Sequence, residues 1–116
     1  MGHEAVVKAL LASGAAIDQA DDGGATPLFI ACQMGHEAVV TALLAGGAAV
    51  DQARNDGVTP LHMACQKGHE AVVKALLAGG AAVNQATQGW TPLAVARQQG
   101  HESVMRFLQE HGAGSE

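Results

Sequence analysis

The amino-acid sequence predicts an all-α repeat array, a solenoid of stacked antiparallel helix pairs, on three observations. Gly-His-Glu recurs at Gly2, Gly35, Gly68 and Gly100, at intervals of 33, 33 and 32 residues. Thr-Pro-Leu recurs between these strings, beginning at Thr26, Thr59 and Thr91. The segments Gly35 to Ala53 and Gly68 to Ala86 differ only at Thr41/Lys74 and Asp51/Asn84. Chance does not produce that agreement.

Each element has a local cause. A Thr hydroxyl can accept from a free N–H of a first helical turn, and Pro suits the first helical position because its missing N–H would have no partner there. The first helix of each unit is therefore expected from about Thr26 to Met34, Thr59 to Lys67 and Thr91 to Gln99. Gly35, Gly68 and Gly100 end it, as residues free to turn left-handed. A second helix follows, as in His36 to Ala45, with Glu in its first turn, where the helix dipole favours negative charge, and a stop at Gly46-Gly47. Apolar Ala38, Val39, Val40, Ala42, Leu43, Leu44 and Ala45 run almost around it, which predicts burial between neighbours and no wet face. Connectors such as Ala48 to Val58, with turn residues Asn55-Asp56-Gly57, read as projecting hairpin fingers. They are too short and too poor in aromatic and β-branched residues to bury a sheet.

These elements make one domain, 1–116, with a half repeat at 2–20 and repeats at 21–53, 54–86 and 87–116. The last connector, Asn84 to Trp90, is one residue shorter and predicts a shorter finger. In the final helix Ser103, Arg106, Gln109 and Glu110 replace Ala38, Thr41, Leu44 and Ala45, the polar outer face a terminal repeat requires.

Thr-Pro-Leu-His-Met-Ala at Thr59 to Ala64, Gly-His-Glu-Ala-Val-Val at Gly68 to Val73 and Ala-Leu-Leu-Ala-Gly-Gly-Ala at Ala75 to Ala81, on this period, resemble the ankyrin repeat over nearly the whole chain. The resemblance implies an L-shaped stack of helix pairs with β-hairpin fingers at right angles, serving protein recognition. Phe29 and Ala94 stand where the family usually has the histidine seen here as His62. The hydrogen bonds that histidine normally makes to neighbouring fingers are therefore not expected at those two sites.

Composition narrows the function. Of 116 residues, 48% are hydrophobic but only two are Phe, one Trp and none Tyr, so the core is built from small side chains. A net charge of −5 with six Lys and Arg argues against nucleic acid, whose affinity comes largely from basic groups releasing counterions. No segment approaches the ~20 apolar residues that span a bilayer, and no basic region with an apolar run opens the chain, which predicts no membrane contact and a cytoplasmic, soluble protein. Cys32 and Cys65 occupy equivalent positions in neighbouring repeats. Stacked helices sit about 8–10 Å apart and a disulfide needs Cα atoms within roughly 7 Å, so free thiols are expected.

Chemistry is expected to be absent. His3, His36, His69 and His101 recur once per repeat, too far apart to share a metal. Gly23-Gly24, Gly46-Gly47 and Gly79-Gly80 lack the Lys-Ser/Thr of a phosphate loop. Ser13, Ser103 and Ser115 lie at a helix end, in the terminal helix and in the tail, and suggest no triad. No catalytic, metal or cofactor residues are assigned, and no cofactor.

Function is expected where repeats differ, since a shared scaffold fixes the rest. The differences fall at finger tips and on the first helices. They nominate Asp22, Ala25, Met34, Arg54, Asp56, Val58, Lys67, Trp90 and Gln98 as contacts for a protein partner, with Met34, Val58 and Trp90 as anchors and no single large hydrophobic patch. The competing reading is a structural or engineered consensus-like scaffold without a natural partner, favoured by the near-identity of the repeats. At the N-terminal end Ala5, Val6, Ala9 and Leu10 keep the internal apolar pattern with no first helix before them. Two copies are expected to cover them by stacking about a twofold axis as a homodimer.

Overall fold

The computed structural model describes residues 17–113, and within them six helices follow one another in pairs. They are α1 (Pro27–Met34), α2 (Glu37–Ala45), α3 (Pro60–Lys67), α4 (Glu70–Ala78), α5 (Pro92–Gln99) and α6 (Glu102–Glu110). The local signals work as their chemistry dictates. Thr26, Thr59 and Thr91 each sit in extended backbone, and their hydroxyls accept from the N–H of Phe29, His62 and Ala94 at 3.1–3.2 Å. Proline occupies the first helical position every time. Gly35, Gly68 and Gly100 close the helices at φ of 75°, 74° and 76°.

The second helices stop at their glycine pairs, as the sequence leads one to expect. Gly46 and Gly79 have φ of −84°, and the left-handed residues are Gly47 at 95° and Gly80 at 93°. Only the second glycine of each pair is needed for the turn. The last repeat agrees, with His111 in the first place and Gly112, at φ 97°, in the second.

First helices stack in the order α1, α3, α5 and second helices in the order α2, α4, α6. One apolar core threads between the two rows, containing Leu28, Val40, Leu43, Leu61, Val73, Leu76, Leu93 and Leu108 at 2% exposure or less. Cys32 and Cys65 lie in it as free thiols, and burial pushes both up to about 12. Both therefore stay protonated and serve as small apolar side chains. The molecule is elongated, 43 × 25 × 21 Å.

Two expectations need correction. The second helices do have a wet face: Ala38, Thr41 and Ala45 of α2 are exposed, as are Ala71, Lys74 and Ala78 of α4, while Val39, Val40 and Leu43 are buried. Alanine needs little apolar shelter, so apolar letters around the helix did not mean burial around it. Ser103, Arg106 and Glu110 therefore replace positions already in water. Of the four changes, only Leu44 to Gln109 falls at a position that is half-buried in α2. Leu44 is half-buried against the next repeat, where its methyl carbons come within 3.2–3.4 Å of where a side chain on Gly79 would begin, and Gln109 is exposed.

The fingers are tight turns with no extended ladder among the described residues. The first two are closed by Asp21 N–H to Ala25 C=O and Arg54 N–H to Val58 C=O, with Gly24 and Gly57 left-handed. In the third, Thr87 and Trp90 exchange both backbone bonds at 2.9 Å around Gln88 and Gly89, at φ of 53° and 83°. Losing one residue converts a three-residue loop into a two-residue turn with both central residues left-handed. Gln is a poor occupant of that conformation. Gln88→Asn is expected to stabilise the chain by up to about 1 kcal/mol, read as a rise in melting temperature; no rise would mean that the turn is unstrained.

Candidate functional site

Three rows of hydrogen bonds run from repeat to repeat, and two use residues that vary between repeats. From the second finger, Asn55 donates its N–H to Gly23 C=O and its Nδ2 to Asp22 C=O, and Thr87 in the third donates its hydroxyl to Asp56 C=O. Asn55 and Thr87 are thus fasteners between fingers. Below them, Asp18 and Asp51 carboxylates accept from Ala49 and Ala82 N–H across one repeat. Asn84, the next in that row, donates Nδ2 to Gly112 C=O at 3.1 Å. Its partner is a carbonyl, which explains the Asp51/Asn84 difference: a carboxylate could not donate.

The recurring histidines make the third row, a role the repeat pattern alone did not reveal. His69 Nε2 reaches Gln33 C=O at 3.2 Å and His101 Nε2 reaches Gln66 C=O at 3.0 Å, each ring lying over the glycine that ends the preceding first helix. The signal available in the sequence was that Gly and His recur together with one period.

His62 ties the third finger to α3. Its Nδ1 accepts from Thr59 N–H and from the Thr59 hydroxyl at 2.7 Å, so Nε2 carries the proton and donates to Trp90 C=O at 2.9 Å. Burial pushes its pKa below the ordinary value, against the opposing pull of the Trp90 and Gln85 backbone, which keeps the ring neutral as this network requires. Where Phe29 replaces this histidine, the ring is 1% exposed against Ala25 and Met63, and the Arg54 guanidinium covers it at 4.8 Å. Arg54 is held there by two bonds to Asp56, at 2.8 and 3.1 Å, which also keep Asp56 below the usual carboxylate range.

Two hollows result. The first is a cleft in two lobes, of about 160 and 180 Å³, that share Gln66, Trp90 and Val95. Asp56, Val58 and His62 line one lobe, and Gln98 and Gln99 line the other. Trp90 stands beside it 44% exposed, its N–H and C=O both bonded. The second is a broad apolar groove of about 670 Å³ along α1, where Pro27, Ile30, Ala31, Met34 and Val39 meet. Ile30 is 44% and Met34 58% exposed. Residues spread along the sequence converge there, with Gln19, Asp21 and His36 at the rim.

Of the nominated contacts, Asp56, Val58, Trp90 and Gln98 meet at the cleft, and Ala25 and Met34 at the groove. Ala25 is 8% exposed and packed with Phe29 and Met63, so it forms floor and offers little contact. Asp22 and Lys67 are exposed and line neither hollow, and half-buried Arg54 is engaged with Asp56 and Phe29. Ile30 was not nominated. Ala5, Val6, Ala9 and Leu10 lie outside the described residues.

No helix among the described residues is long and apolar enough to cross a membrane. A family model described as ankyrin repeats (3 copies) matches residues 1–54 and again residues 43–115. No curated protein matches the chain.

Proposed function

The chain belongs to the ankyrin repeat family, whose members are generally non-catalytic protein-interaction modules, and from that premise we propose that it binds a protein partner across its fingers and first helices, with the cleft at Trp90 as the centre. One observation carries this reading. Trp90 leaves much of its indole in water while two hydrogen bonds to Thr87 and a third from His62 fix its backbone. An exposed Trp costs the free protein hydration free energy, and a fixed one loses little entropy on binding, which is how interface anchors work. Val58 and Val95 supply apolar walls, and Gln66, Gln98 and Gln99 supply amides for a partner's polar groups. Two buried free thiols accord with a reducing compartment such as the cytoplasm.

The immobilised chain should retain a protein saturably from lysate, and Trp90→Ala should lower that affinity roughly tenfold or more with the helical circular dichroism unchanged. Retention equal in Trp90→Ala, but lost when Ala71→Glu charges the outer helical face, would move the interface to the opposite side. Absence of any saturable binding would favour the scaffold without a partner.

A further inference from the structure

Of the three first helices, only α3 places a histidine at its third position; Phe29 holds that place in α1 and Ala94 in α5, and neither side chain can take a proton. The finger that His62 holds is the one bearing Trp90. His62 is 2% exposed and lines the same lobe of the cleft as Trp90.

The bonds around this ring demand one protonation state. Nδ1 faces two donors, Thr59 N–H at 3.2 Å and the Thr59 hydroxyl at 2.7 Å, and Thr59 is itself 2% exposed. A proton on Nδ1 turns the acceptor into a donor. The hydroxyl can rotate to accept it, but the amide cannot, so Thr59 N–H is left buried and facing a donor. Moving the ring away relieves that clash and gives up the Nε2 bond to Trp90 C=O. The turn itself survives on the two Thr87–Trp90 backbone bonds and on the Thr87 hydroxyl at Asp56 C=O. His69, His101 and His111 face carbonyl oxygens, to which they donate, so a second proton breaks none of those bonds.

The surroundings offer a charged ring little. The charged and titratable groups on the elements packed around α3 are Arg54 and Asp56 of the second finger, Lys67 of α3 itself, His69, Glu70 and Lys74 of α4 and Arg97 of α5. Cys32 and Cys65 stay protonated, and the third finger from Asn84 to Trp90 carries no charge. Of these groups only Asp56 lines the lobe with His62, and two bonds engage it with Arg54.

We propose that neutral His62 is a positioning residue for Trp90, and that its protonation frees the third finger from α3 and weakens binding at the cleft. This rests on the partner-binding role of Trp90. Because burial holds His62 below the ordinary histidine value of about 6.5, the tie is intact above that pH and is lost as pH falls through the lower value of the folded chain.

Trp90 is the chain's one tryptophan, so its release can be followed without a partner. From about pH 8 down to about pH 4.5, collisional quenching of Trp90 by acrylamide is expected to rise in a one-proton step with its midpoint below about 6.5, while helical circular dichroism stays constant. His62→Gln supplies an acceptor and a donor without titrating, and should show no step. Imidazole nitrogen NMR on the unmodified chain should place the titration of His62 at the same midpoint, a comparison that does not depend on the variant folding. Protein retained through Trp90 should lose affinity by up to about tenfold per pH unit below that midpoint, and protein retained by His62→Gln should not. Quenching that ignores pH, a step that persists in His62→Gln, a midpoint belonging to another histidine, or loss of helix in the same step would each overturn the proposal. Retention that survives Trp90→Ala would instead sink the binding role and leave the quenching step standing, so the two failures are distinguishable.

Discussion

Replacing Leu76 by Ala is expected to destabilise the chain by about 2–5 kcal/mol, a large share of the total stability of a domain this size. Leu76 is fully buried in α4, the middle helix of its row, which packs on α2, α3 and α6. Its backbone carbonyl also accepts from Gly79 and Ala81, holding the turn that follows and so limiting how far the site can collapse around a cavity. Stability in a stack is roughly a sum over repeats and their nearest-neighbour interfaces, and a side chain between two neighbours weakens both interfaces when truncated. Urea denaturation measures the loss as a lower midpoint. A loss under about 1 kcal/mol would mean that the repeats are not coupled through this row.

Gly68→Ala is expected to cost roughly 2–4 kcal/mol, and Gly100→Ala only about 1. The two glycines have the same conformation, φ 74° and 76°, so the penalty for a side chain in the left-handed region is common to both. Their surroundings differ. A methyl group on Gly68 would lie 2.7–3.0 Å from the His101 ring, which must then move and release Gln66 C=O, while a methyl on Gly100 meets nothing within 4 Å. The difference between the two variants isolates the histidine row. In a double-mutant cycle, adding His101→Ala should bring the cost of Gly68→Ala down toward that at Gly100. Equal costs at the two glycines in the intact chain would show that the row contributes nothing.

The helices and their order were legible in the sequence because their causes are local. A threonine cap, a proline at the first position and a glycine able to turn left-handed act within a few residues, so the period exposed all three first helices to within a residue of their ends. The shorter third finger was legible for the same reason, a single missing residue having one geometric consequence. Burial of the second helices was misjudged because hydrophobicity was read as burial, and Ala38, Thr41 and Ala45 tolerate water.

What lay out of reach was whatever depends on the neighbouring repeat. His69 and His101 had the same letters as a simple recurring residue, yet their bonds run 36 and 35 positions back along the chain. Asn55 and Thr87 resembled free surface variation until the adjoining fingers supplied carbonyls for them. The sequence by itself determined a stack of capped helix pairs, since hydrogen-bond capping and backbone conformational preference are set by a residue and its immediate neighbours. Only the tertiary structure decided which varied residues fasten the fingers, which face water and where apolar side chains gather, because Ile30 and Met63 occupy one place in the repeat, yet Met63 is 5% exposed beneath Phe29 and Ala25 and Ile30 is 44% exposed.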